Sequence, residues 1–195
     1  MTERQSHGFA FEAEVISTLN LKKDPNYTST WDAWTEDGTP VSIKCISEKG
    51  NIDCGSIVRM YQHFLRPGWI MYLGRHRNKV ITSVHKYIFT QEVCEKLAGK
   101  LTVEEVQDLD FCIKSFGRGE HEEAREVAQL WKEENKDRMG LLTVQPKIDS
   151  KIQRRVQCGI NKMAVRKCFG QEQSFDELKN LVGVNFGKAR EERRE

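Results

Sequence analysis

Apolar residues recur at helical spacing near the N-terminus: Phe9, Phe11, Val15, Ile16 and Leu19 make one stripe, which predicts a helix over residues 8–20. Lys22-Lys23-Asp24-Pro25-Asn26 breaks it. Residues 27–35 hold Tyr, Thr and Trp, which favour a strand, and Glu36-Asp37-Gly38-Thr39 signals a hairpin turn into a second strand over 41–46. After a loop at 47–51, Asp53 or Ser56 is placed to cap a helix towards Phe64. Two more strands are expected at 69–73 and 79–89, joined by the basic turn Arg75-His76-Arg77-Asn78. Short helices are predicted at 91–99 and 103–111, the second opened by a Thr102/Glu105 capping box. A longer helix follows over 120–138, anchored by Val127, Leu130 and Trp131. Strand 141–144, a basic loop, strand 156–160 and a short helix at 175–181 precede a charged tail over 188–195.

This order predicts an α/β or α+β fold, with a central mixed sheet flanked by helices and a helical section (91–138) in the second half. A length of 195 residues suits one domain, or one core carrying an inserted helical section; a single domain over 1–187 is expected. The glycine fingerprints of dinucleotide-binding and P-loop proteins are missing. Net charge is only +2, yet 147–167 holds seven Lys or Arg against one acid, Asp149, so the near-neutral total conceals a basic segment.

The six cysteines form no CxxC pair and have no matched histidine spacing, so no structural zinc site is expected. The five histidines show no HExxH or HNH-type clustering. The polar N-terminus lacks a signal-peptide core, and no apolar run approaches the roughly 20 residues that span a bilayer. A cytoplasmic protein with reduced thiols is expected.

Chemistry concentrates around Asp32, Ser42 and Lys44. Ser42 and Lys44 are two apart on one strand and share a face. If Gly38 centres an odd-length turn, Asp32 pairs opposite Lys44 on that face, and Glu12 on the preceding helix can reach the same place. Two carboxylates that hold a hard divalent cation beside a lysine suit phosphodiester hydrolysis: the cation polarises the phosphate and acidifies a bound water, and the lysine orients that water.

Gly8-Phe9-Ala10-Phe11-Glu12, Thr30-Trp31-Asp32 and Val41-Ser42-Ile43-Lys44 together resemble the first helix, the aspartate strand and the (D/E)XK strand of the PD-(D/E)XK nucleases, a family with many restriction endonucleases. The resemblance covers roughly a quarter of the chain (core motifs 8–64) and implies a restriction-endonuclease-like core. It also implies Asp32 and Glu12 as ligands of Mg2+, with Mn2+ as a substitute, Lys44 as the catalytic lysine, and a homodimer acting on double-stranded DNA. Two departures stand out: Trp31 replaces the proline before the aspartate, and Ser42 occupies the second acid position. Glu12 is the first substitute for that acid, followed by Asp53 and Glu48. A structure-specific nuclease, such as a junction resolvase or repair nuclease, and a non-catalytic DNA-binding protein on a decayed nuclease fold are the alternatives.

The segment 146–167 is the expected DNA reader. Lys151, Gln153, Arg154, Arg155 and Gln157 combine long donors that reach phosphates and purine edges.

Overall fold

A computed structural model describes residues 3–25, 30–151, 153–170 and 174–186. The start of the expected strand at 27–35, Ile152 and the charged tail lie outside them. In chain order the strands are β1 (Lys22–Lys23), β2 (Ala33–Trp34), β3 (Pro40–Ser47), β4 (Ile52–Ser56), β5 (Trp69–Arg77), β6 (Val80–Phe89), β7 (Leu142–Ile148) and β8 (Arg154–Ile160). The α-helices are α1 (Glu3–Thr18), α2 (Ile57–Arg59), α3 (Gln91–Ala98), α4 (Val103–Ser115), α5 (His121–Glu134) and α6 (Lys162–Phe169). A π-helical turn (Met60–Phe64) follows α2, and a 3-10 helix spans Asp176–Leu181. The chain divides into two compact units: residues 1–50, 68–90 and 171–195 form the first, and 51–67 with 91–170 form the second.

The first unit is built on a five-stranded mixed sheet of order β1-β2-β3-β5-β6, in which only β3 and β5 run parallel. A parallel neighbour requires a crossover, and residues 51–67 make it. The β2–β3 hairpin closes through the Thr35 N–H to Thr39 carbonyl bond around a loop of Glu36, Asp37 and Gly38. Gly38 sits at φ 82°, the left-handed position such a loop needs, and this is why glycine stands there. β5 and β6 are joined at Asn78-Lys79, both at positive φ, the mark of a type I′ turn. Arg75-His76-Arg77, expected as turn, is therefore strand. Its polar character misled the reading: Arg75 is buried, with its guanidinium on the carbonyls of Glu48 and Gly50.

Alternation along β3 divides the sheet. Val41 and Ile43 join a core with Phe11 and Val15 of α1, Ala33, Tyr72, Ile81, Val84, Leu178 and Leu181. The tip of the Phe11 ring lies against Gly74 of β5, where an added Cβ would stand 2.5 Å from its Cζ. That close approach docks α1 on the sheet and fixes what the helix carries.

In the second unit, β4-β8-β7 form an antiparallel sheet. Ile52, Leu142, Val144, Ile148, Val156, Cys158 and Ile160 are its buried apolar side chains, with α4 and α5 packed against its strands. The Thr102/Glu105 capping box opens α4 as expected, and Ser56 caps α2. α5 is anchored by Ala124 and Ala128; Leu130, expected as an anchor, is 51% exposed. Among the described residues no helix is long and apolar enough to cross a membrane.

Candidate active site and nucleic-acid face

The β2–β3 ladder runs through Ala33↔Val41, with the Asp32 N–H donating to the Val41 carbonyl at 3.0 Å. Continued by one residue, this register sets Asp32 across from Ser42, not across from Lys44 as expected. The loop is centred on Asp37, one residue before the Gly38 that pairing with Lys44 needs. A slip of two residues in partner preserves the face, so Asp32, Ser42 and Lys44 still share one.

Beyond Ala33 the Asp32 carboxylate takes over from the backbone ladder. Its Oδ2 accepts the Ile43 N–H at 2.6 Å and the Ser42 hydroxyl at 3.1 Å. Because the Ile43 N–H lies in the plane of the sheet, the carboxylate is held near that plane. Ser42 is buried and uses its hydroxyl to brace Asp32. A hydroxyl at this position supplies orientation and no charge.

Glu12 follows Phe11 on α1, so the docking of that ring on Gly74 places it. Its Oε1 lies 3.7 Å from the Lys23 ammonium, on the edge strand β1. Burial raises the Glu12 carboxyl above its ordinary range; the charge of Asp32 raises it further, and Lys23 opposes both. The charge of Asp32 is thus felt at Glu12. Mg2+ takes one or two carboxylates and completes its shell with water and phosphate oxygens, and Asp32 and Glu12 are donors of that type. Lys44 is half-buried beside the fully buried Leu73 of β5, and among the described residues its ammonium has no ion-pair or hydrogen-bond partner. An ammonium held half-buried without a partner costs stability rather than adding to it.

The other substitutes for the second acid are committed elsewhere. Asp53 belongs to the second unit, where its carboxylate accepts the Gly55 N–H at 2.8 Å beside a bulge in β4. Glu48 is paired with Arg77, whose Nε and Nη2 approach at 2.8 and 2.7 Å. Lys23 was missed by the sequence reading, because its surroundings looked like a helix break rather than a strand.

Glu12 yields a prediction about stability. The folded chain holds the Glu12 proton more tightly than the unfolded chain does. Ionised Glu12 therefore opposes folding above the folded pKa, and that cost disappears as pH falls through it. Without divalent metal, Glu12→Gln is expected to raise Tm at pH 7, by a few degrees at most, and to leave it unchanged near about pH 3. Thermal melts at both pH values check this; a lower Tm for the variant at pH 7 contradicts it.

The expected DNA-reading segment, 146–167, takes in the end of β7, the turn, β8 and the start of α6. Asp149, the one acid in the basic stretch, shapes its turn: Oδ1 accepts the N–H groups of Lys151 and Gln153 at 2.9 and 3.0 Å. These bonds hold its carboxyl below the usual range. Pairing of Lys147 with Arg155 and Gln145 with Gln157 makes one face of the hairpin polar, with Thr143 at its end, while Val144, Val156 and Cys158 line the other. Lys147, Lys151, Gln153 and Arg155 are exposed, and Gln157 is half-buried.

Arg154 stands apart. Its guanidinium donates to the carbonyls of Asp149, Gln153 and Gly117 at 2.5, 2.9 and 2.9 Å, tying the turn to the loop before α5. Arg154→Ala is accordingly expected to lose roughly 1–3 kcal/mol of stability, read from the denaturant midpoint, without relaxing base preference. Arg155→Ala is expected to keep stability and lose about 1–3 kcal/mol of binding on a preferred duplex. Interchanged results would reverse the two roles.

No family model matches the chain, and no curated protein sequence matches it.

Proposed function

We propose that this chain is a Mg2+-dependent endonuclease that hydrolyses phosphodiester bonds in double-stranded DNA at specific sites, as type II restriction enzymes do. The observation that carries this reading is a carboxylate, Asp32, braced by the Ser42 hydroxyl and the Ile43 N–H at the end of the β2–β3 ladder, with a second carboxylate, Glu12, that feels its charge; Lys44 lies two residues beyond Ser42 on the same strand.

Asp32 and Glu12 hold the cation, with Mn2+ as a substitute. When bound, the ion polarises the scissile phosphate and lowers the pKa of water beside it. Ser42 and the Ile43 N–H keep Asp32 from rotating, which maintains one ligand direction. Lys44 orients the attacking water and stabilises the negative charge that grows on the phosphate oxygens. The water oxygen bonds to phosphorus as the bond to the leaving sugar oxygen breaks. Lys147, Lys151, Gln153, Arg155 and Gln157 suit a β-ribbon that meets phosphates and base edges. On this reading the enzyme is cytoplasmic and works as a homodimer on a palindrome, because two-fold protein symmetry mirrors such a site.

Ser42 in the acid position favours a second reading, a DNA-binding protein on a decayed nuclease fold. Digestion of linear plasmid and branched duplexes with Mg2+ separates the readings. Discrete plasmid fragments support the proposal, cutting confined to branched DNA assigns a structure-specific nuclease, and binding without cutting assigns the decayed fold.

A further inference from the structure

The core face of the sheet carries a second constellation that the nuclease chemistry does not use. His7 lies one turn before Phe11 on α1, Cys45 follows Ile43 and Lys44 on β3, and His76 lies two residues beyond Gly74 on β5. The docking of Phe11 on Gly74 thus brings His7 over His76, and their rings meet edge to face at 4.8 Å between centroids. One nitrogen from each imidazole and the Cys45 sulfur lie within 4.8 Å of one another. Tetrahedral zinc, with bonds of about 2.0–2.3 Å, separates its ligands by roughly 3.3–3.8 Å, so small side-chain rotations close the set.

We propose that His7, Cys45 and His76 form a binding site for a borderline-soft divalent cation, Zn2+ foremost, on the opposite face of the sheet from Ser42 and Lys44. Two further observations point to a ligand. The Nδ1 atoms of His7 and His76 are both shut off from solvent and have no hydrogen-bond partner, an unusual state for buried polar atoms. Both rings also line an open cleft of about 980 Å3, which leaves a fourth coordination position for water or an anion. Three protein ligands with one open position is the pattern of a reactive zinc site rather than a closed structural one.

The donor set selects the ion. A thiolate and two imidazoles suit Zn2+, whereas Mg2+ demands oxygen. Burial lowers the pKa of both histidines, with the charge of Lys79 adding to the effect at His7 and that of His7 at His76. Each ring is thereby kept in the neutral form that ligates. The Cys45 thiol, which burial pushes up to about 12, releases its proton to solvent as the metal–sulfur bond forms.

The test is titration of the full chain, stripped with a chelator, with Co2+ as the spectroscopic probe. Saturation at one Co2+ per chain is expected, with a near-ultraviolet thiolate charge-transfer band and the visible bands of a four-coordinate ion, both removed by equimolar Zn2+. Cys45→Ser is expected to lose the charge-transfer band. His7→Gln and His76→Gln should each weaken Co2+ binding by about 100-fold, while Asp32→Ala leaves the spectrum unchanged. Absence of a saturable one-to-one spectrum in the parent chain overturns the proposal, as does a thiolate band that persists in Cys45→Ser. The readout is independent of DNA cleavage, so either site can fail without the other.

Discussion

Replacing Lys44 with alanine is expected to leave a protein that folds and binds DNA but cleaves it slower by on the order of 10²–10³-fold. The fold should tolerate the change because the ammonium has no partner among the described residues and the strand keeps its backbone pairing with β5. Binding should persist because one lost charge removes little from an interface that neutralises many phosphates. The chemical step should suffer because no other cation is placed with Lys44 on that stretch of β3; Lys23, the nearest cation to Glu12, is 64% exposed and already paired. Lys44→Arg is expected to rescue only weakly, since a planar guanidinium cannot present the compact charge of an ammonium. Single-turnover cleavage and filter binding on the same preparations separate the two effects. Equal loss of binding and cutting would make Lys44 a contact residue instead.

Phe11→Ala is expected to cost about 3–5 kcal/mol, a large share of the 5–15 kcal/mol that typically holds a domain together. The ring is fully buried, packs edge to face on Phe186 at 6.1 Å between centroids, and fills the space that Gly74 leaves open. The same ring positions its neighbours on α1, so the variant should lose both cleavage and the Co2+ spectrum. Urea denaturation measures the effect directly, and a change below about 1 kcal/mol would show that α1 docks by other contacts.

The contrast between these residues shows what a single sequence discloses. The α1 stripe, the hairpin glycine and the Thr102/Glu105 box are local signals, and each forms the element it predicts. Asp32, Ser42 and Lys44 could be placed on one face because a strand alternates with period two. Their register could not be read, because it depends on which residue the loop is centred on, and the Thr35–Thr39 closure centres it on Asp37, one residue before Gly38. β1 was hidden because two lysines on a sheet edge carry no apolar pattern. β5 was truncated in the reading because a buried arginine held by backbone carbonyls looks, in sequence, like a surface turn. α6 was missed for a related reason: it buries only Ala164 and Val165 over its short length. His7, Cys45 and His76 escaped any spacing rule because they come from a helix and two strands, and only the packing of Phe11 on Gly74 unites them.

The central claim, that Asp32 and its neighbours make a metal-dependent nuclease site, is tested most directly by incubating supercoiled plasmid with the purified chain and its Asp32→Ala variant, each with Mg2+ and with a chelator. The account predicts nicked and linear products from the parent chain with Mg2+ alone, and intact plasmid in every other lane. Intact plasmid throughout, or equal cutting by Asp32→Ala, would contradict it.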